Sequence, residues 1–159
     1  MKEKKILMVC LGNICRSPLA QGILTKKCKH LSVFVDSAGT SGYHKGNPPD
    51  QRAQNIANLN QINIGNQKAR KLTTRDIETF DLIYVMDESN YTSSLKLVKN
   101  IKDKMKIDLI LNISNPGKNL NVPDPYFLGE KGFENVYNLL NESCEKIKVQ
   151  LEKEFNAQG

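Results

Sequence analysis

Cys10 and Arg16 are separated by five residues in "VCLGNICRSPLA", and Ser17 and Pro18 follow at once. A loop of that length can curl until its amides point inward. A ring of backbone N–H groups in front of a helix N-terminus makes a site for a tetrahedral oxyanion. Arg16 completes such a cradle, because a planar guanidinium grips two phosphate oxygens at once, where an ammonium offers a point charge. Ser17 is placed to donate a hydroxyl hydrogen bond to the sulfur. The same surroundings stabilise a thiolate. A thiolate beneath a bound phosphoryl group is a nucleophile aligned for in-line attack, so the spacing points to phosphoryl transfer through a phosphocysteine.

This chemistry needs a strand to carry the cysteine and a helix to aim its N-terminus at the anion. "KKILMVC" reads as a buried strand ending at Cys10, and "SPLAQGILTKKCKH" as the helix after it, with Ser17 as N-cap and Pro18 at the first helical position. "LSVFVDSAG" reads as a second strand, followed by the loop "TSGYHKGNPP" and a helix from about Asp50 to Asn60. "FDLIYVMD" supplies a third strand, and "ESNYTSSLKLVKNI" a helix with apolar spacing at Leu95, Val98 and Ile101. "KIDLILN" is a fourth short strand. The loop "ISNPGKNLNVPDPYFLGEKG" then carries three prolines and three glycines before a last amphipathic helix built on Phe133, Val136, Leu139, Leu140, Ile147 and Leu151. Loops of that length are uncommon and often functional.

The alternation predicts an α/β fold, a four-stranded parallel twisted sheet with helices on both faces and a phosphate-binding loop after the first strand. One domain over residues 1–159 is expected. Ligands of such sheets bind beyond the carboxyl ends of the strands, where Cys10 and Asp87 both fall.

Composition narrows the function classes. With 39% hydrophobic and 25% charged residues the chain has ordinary globular balance, and its apolar runs fall far short of the roughly 20 residues that span a bilayer, so no membrane insertion is expected. "MKEKKILMVC" has a basic flank, but Gly12 and Asn13 interrupt the apolar run too soon for a secretory signal. Cys10, Cys15, Cys28 and Cys144 form neither a dense disulfide framework nor paired metal-ligand spacing, and only His30 and His44 could assist them. A cytoplasmic, reducing location without metal or cofactor is the expectation. The net charge of +6 rests on scattered lysines such as Lys96, Lys99, Lys102 and Lys104, which read as solvated helix faces and not as a nucleic-acid footprint. A positive field still draws in anionic substrates.

"VCLGNICRSPLA", taken with "VPDPYF" far downstream, resembles the low-molecular-weight protein tyrosine phosphatases. The resemblance spans nearly the whole chain and includes "VDSAGTSGYHKGNPPDQR" and "KARKLTTRDIETFDLIYVMDESN" in the family's order. It implies hydrolysis of phosphotyrosine and small aryl phosphate monoesters, with tyrosine-phosphorylated proteins as substrates and phosphate or other oxyanions held in the site. Cys10 is then the nucleophile, Arg16 the phosphate clamp and Asp124 the proton donor on a long mobile loop. Leu11, Gly12, Asn13, Ile14, Cys15 and Ser17 complete the anion pocket, with Asn13 and Ser17 holding the loop.

Tyr43, Tyr126 and Phe127 wall a slot for an aromatic ring in this reading. The roles agree with the chemistry, since a departing phenolate benefits from a proton and Pro125 holds Asp124 extended. The resemblance also implies that Cys15 is a redox partner of Cys10; the alternative is simple loop packing. Gln21 and Gln67 stand where family members commonly carry a glutamate and a histidine, and both are expected to stay clear of the chemistry. A monomer or weak self-association is expected.

Three rival readings differ in testable ways. A thiol-dependent arsenate reductase on the same fold needs relay cysteines, and none occurs between Cys28 and Cys144. In a protein arginine phosphatase of the same fold, resemblance places a threonine where Ile14 stands, and the aliphatic side chain favours a flat phenyl ring. A non-catalytic phosphotyrosine-binding module would lack the nucleophile or the acid, and both are present.

Overall fold

Strand β1 (Lys4–Cys10) is the central element of a computed structural model that describes residues 2–158. It pairs in parallel with β2 (Val33–Gly39) on one side and β3 (Leu82–Val85) on the other, and β3 pairs with the three-residue β4 (Ile107–Leu109). The sheet order is β2-β1-β3-β4, and every pairing is parallel, which the βα alternation predicts. The chain therefore reverses its winding between β1 and β3, and the crevice at their carboxyl ends is the position such sheets reserve for a ligand.

The unbroken apolar run of β1 follows from cover on both faces. Ile6, Met8 and Cys10 point into one core with α1 (Arg16–Lys27), α2 (Gln51–Leu59) and the long α7 (Gly129–Gln158). Leu7 and Val9 point into a second core with Leu72, with Ile77 of α3 (Thr74–Thr79) and with side chains of α4 (Glu88–Leu95). Period-two alternation thus assigns Cys10 to the α1 and α7 side. From α7, Phe133, Val136, Leu140, Ile147 and Leu151 are buried in the first core, and Leu139 packs against it partly buried. Each fully buried large apolar side chain contributes about 1.5–3 kcal/mol.

Several elements differ from expectation, each for a local reason. Helix α1 begins at Arg16, and its N-cap is Cys15, whose side chain makes no capping bond. Ser17 lies inside the helix because its hydroxyl is engaged beneath the anion loop. Pro18 is tolerated there since the first-turn amides have no intrahelical partner. The helix expected after β3 ends at Leu95, and a separate turn, α5 (Ile101–Lys104), starts where the Asn100 side chain accepts the Asp103 amide at 2.8 Å. The "LN" after β4 opens the short α6 (Leu111–Ser114). Thr73 and Asp76 form a reciprocal capping box that starts α3.

Candidate active site

The loop 11–15 wraps around the crevice between the end of β1 and the start of α1. Three backbone bonds from the chain after β2 and from the start of α2 fix its shape: Thr40 N–H donates to the Cys10 carbonyl at 2.9 Å, Ser41 N–H to Leu11 at 2.9 Å and Asp50 N–H to Ile14 at 2.8 Å. The approach is so close that a Cβ on Gly39 would lie 2.7 Å from the Leu11 carbonyl oxygen. Only glycine fits at the end of β2.

Asn13 holds the loop from below. Its φ of 58° places it in the left-handed region, which asparagine tolerates better than other side chains. Its amide is fully used: Nδ2 donates to Ser17 Oγ at 2.8 Å and to Ser37 Oγ at 2.9 Å, while Oδ1 accepts the Arg70 backbone N–H at 3.0 Å. The Arg70 side chain is itself fixed by Asp76 at 2.9 Å and Asp36 at 3.0 Å. Because Ser17 Oγ accepts from Asn13, its own hydrogen is free to point at the Cys10 sulfur 3.0 Å away. Gln21, expected to stand clear of the chemistry, accepts the Ser37 hydroxyl and so ends a chain that runs through Asn13 and Ser17 to the sulfur. Gln67 donates to the Pro18 carbonyl at 3.2 Å and lies behind α1.

Arg16 is almost wholly buried, 3% exposed, so its cation must be paired. Nη1 donates to Asp87 Oδ2 at 2.7 Å and to the Val122 carbonyl at 2.9 Å, and Nη2 lies 3.8 Å from Asp124 Oδ2. Asp87 divides its carboxylate between two tasks: Oδ1 accepts the Asn90 N–H at 2.8 Å and caps α4, which aims Oδ2 at Arg16. Sequence reading places Asp87 at a strand end and assigns it no role; the signal available was its capping position before "ESN".

A cavity of about 420 Å³ opens over this loop. Cys10, Leu11, Gly12, Ile14, Cys15 and Arg16 line its floor, with Ser41, Tyr43, His44, Asp124, Tyr126 and Phe127 around them. Asn13 and Ser17, grouped with the substrate-binding residues on sequence, are buried under the loop and do not line the cavity. Ser41 and His44 do line it and were not singled out for the site; His44 packs so close to Gly12 that a Cβ there would meet its ring at 2.9 Å. The Tyr126 and Phe127 rings meet edge to face at 4.9 Å, and Tyr43 meets His44 the same way at 4.8 Å. Burial pushes the Cys15 thiol well above its ordinary range, with the Asp50 carboxylate adding to the effect.

The loop carrying Asp124, expected to be mobile, is hydrogen-bonded on both sides of the acid. Val122 N–H donates to the Met86 carbonyl at 2.8 Å, the Tyr126 N–H donates to Asp124 Oδ1 at 3.1 Å, and Leu128 N–H to Pro125 at 2.9 Å. A half-exposed carboxyl thus faces a buried guanidinium across the cavity from a thiol. The arrangement can hold a phosphate monoester, offer a sulfur to phosphorus and offer a proton to the leaving oxygen.

Comparison with known proteins agrees with this geometry. Residues 5–157 match the family model described as low molecular weight phosphotyrosine protein phosphatase. The chain is 43% identical over 155 residues to the low molecular weight phosphotyrosine protein phosphatase of Gallus gallus, covering 94% of this chain and 95% of that one. Among solved structures it is similar to a protein tyrosine phosphatase from Entamoeba histolytica with Hepes in its active site, at 36% identity and a TM-score of 0.88, covering 95% of this chain and 98% of that one. It is also similar to a Drosophila arginine phosphatase, at 31% identity and a TM-score of 0.85, with coverage of 92% and 96%. With the family model spanning almost the full length and the anion loop built as described, the chain belongs to the low molecular weight phosphotyrosine protein phosphatase family.

Proposed function

We propose that this phosphatase cleaves phosphotyrosine and small aryl phosphate monoesters with Cys10 as nucleophile, Arg16 as phosphate clamp and Asp124 as general acid. The observation that carries the assignment is the convergence of all three on one cavity, with Ser17 3.0 Å from the sulfur and Asp124 3.8 Å from Arg16. The thiolate attacks phosphorus, the P–O bond to the aryl oxygen breaks, and Asp124 gives its proton to that oxygen as it leaves. Water then attacks the phosphocysteine, the P–S bond breaks, and the Asp124 carboxylate takes the proton of the water as it adds. In this reading the backbone amides of Leu11 to Cys15 and the start of α1 hold the phosphoryl oxygens throughout.

Ile14 on the cavity floor and the Tyr43, Tyr126 and Phe127 rings supply flat apolar surface, which favours an aryl over a guanidino substrate. Cys15 is the redox partner of Cys10 in this reading. One phosphatase domain spans residues 1–159 and acts in the cytoplasm on tyrosine-phosphorylated proteins, as a monomer or in weak self-association. The four free, buried cysteines suit a reducing compartment. The test is Asp124→Asn, which slows phenyl phosphate hydrolysis by about a hundredfold or more and spares good leaving groups. A uniform penalty across leaving groups would point to a structural aspartate instead.

A further inference from the structure

Arg52 lies outside the cavity lining, yet it joins the two loops that must cooperate. Asp50 donates its backbone N–H to Ile14 of the anion loop at 2.8 Å. Its carboxylate grips Arg52 three ways: Oδ1 accepts the Arg52 N–H at 2.9 Å and Nε at 3.0 Å, and Oδ2 accepts Nη2 at 2.9 Å. The remaining arm of the guanidinium, Nη1, donates to the Tyr126 carbonyl at 2.9 Å. The plane also lies over two rings, 4.7 Å from the centroid of Phe133 in α7 and 5.4 Å from that of Tyr126. Tyr126 in turn donates its N–H to Asp124 Oδ1 at 3.1 Å. A continuous strut therefore runs from the Ile14 carbonyl through Asp50 and Arg52 to the Tyr126 peptide and the Asp124 carboxyl.

We propose that Arg52, held by Asp50, is a positioning residue that sets the distance between the proton donor Asp124 and the phosphate loop. The inference rests on the assignment of Asp124 as general acid and adds the element that places it. Arg52 touches neither the cavity floor nor the reacting atoms. It fixes one residue at two points, the Tyr126 carbonyl by hydrogen bond and the Tyr126 ring by stacking, so that the N–H of the same residue meets Asp124. A planar fork is needed, because Nε and Nη2 must hold Asp50 while Nη1 reaches the carbonyl. Lysine cannot do both.

The expected signature is a leaving-group dependence inherited from Asp124. In Arg52→Met, kcat/KM for phenyl phosphate falls by about tenfold, while that for p-nitrophenyl phosphate falls by about twofold, since a displaced acid matters most where the leaving group needs its proton. The inhibition constant of inorganic phosphate stays within about twofold, because the anion loop keeps its other supports. Arg52→Lys, which preserves charge and most packing, lies between the two and guards against a variant that fails to fold. In the Asp124→Asn background, Arg52→Met adds no further leaving-group-dependent loss. A loss equal for all leaving groups, or one that multiplies fully with Asp124→Asn, would overturn the strut. If Asp124→Asn alone shows no leaving-group dependence, the proton-donor assignment falls first and takes the strut with it.

Discussion

Replacing Asn13 by alanine removes three hydrogen bonds and leaves a β-carbon at a backbone angle that alanine disfavours. The bonds run to Ser17 Oγ, Ser37 Oγ and the Arg70 N–H. At about 1 kcal/mol net each they sum to about 3 kcal/mol. The left-handed conformation, φ 58°, adds about 1 kcal/mol for an alanine. Asn13→Ala should therefore lose about 4 kcal/mol, which for a chain of this size lowers the melting temperature by about 8–16 °C. Asn13→Gly loses the same hydrogen bonds without the steric term and should be about 1 kcal/mol more stable than the alanine variant. Urea denaturation with the two variants beside wild type gives both differences. Both variants also release Ser17 to turn from the sulfur, and kcat/KM should fall by about tenfold or more, the equivalent of one charge-assisted hydrogen bond. An alanine variant within 1 kcal/mol of wild type, or a glycine variant no more stable than alanine, would refute the reasoning.

Arg16→Lys should lose about a hundredfold or more in kcat/KM, because one ammonium cannot hold Asp87, the Val122 carbonyl and a phosphate together; near-normal turnover would refute the clamp. After a peroxide pulse, wild type should recover on addition of a dithiol and Cys15→Ser should not, since further oxidation of an uncaptured sulfenic acid is irreversible. Burial holds the Cys15 thiol protonated, and only its thiolate can attack oxidised Cys10, so disulfide closure should accelerate by about tenfold per pH unit from neutral into the alkaline range. Equal recovery of both proteins without a linked Cys10 and Cys15 peptide, or closure independent of pH, would leave Cys15 as loop packing.

The parts of the site legible in the sequence are those coded by short spacing. Cys10, the loop to Arg16, the following helix and the parallel pairing of the strands all follow from local patterns, whereas Asp124 emerges only through the family resemblance. The supports were hidden because their partners are far apart in sequence. Asn13 finds Ser37 across 24 residues and Arg70 across 57, and Arg16 finds Asp87 across 71. No window along the chain contains both ends of such a bond.

The residue type of Ser17 suits an N-cap, but its tertiary partners claim the hydroxyl and the cap position falls to Cys15. Helix α3 is not legible in the sequence although Thr73 and Asp76 spell its capping box, since six residues carry too little periodicity to stand out. Arg52 gave no signal at all: an arginine two residues after an aspartate near a helix start reads as a solvated pair.

The central claim is that phosphorus passes through the sulfur of Cys10. Rapid quenching of the enzyme during turnover of a phosphorus-labelled aryl phosphate, followed by peptide mapping, tests it most directly. The expected result is one phosphoryl group on Cys10 that decays at the rate of turnover, is absent from Cys10→Ser, and is absent from wild type quenched before substrate is added. Label on another residue, or undiminished turnover by Cys10→Ser, would contradict it.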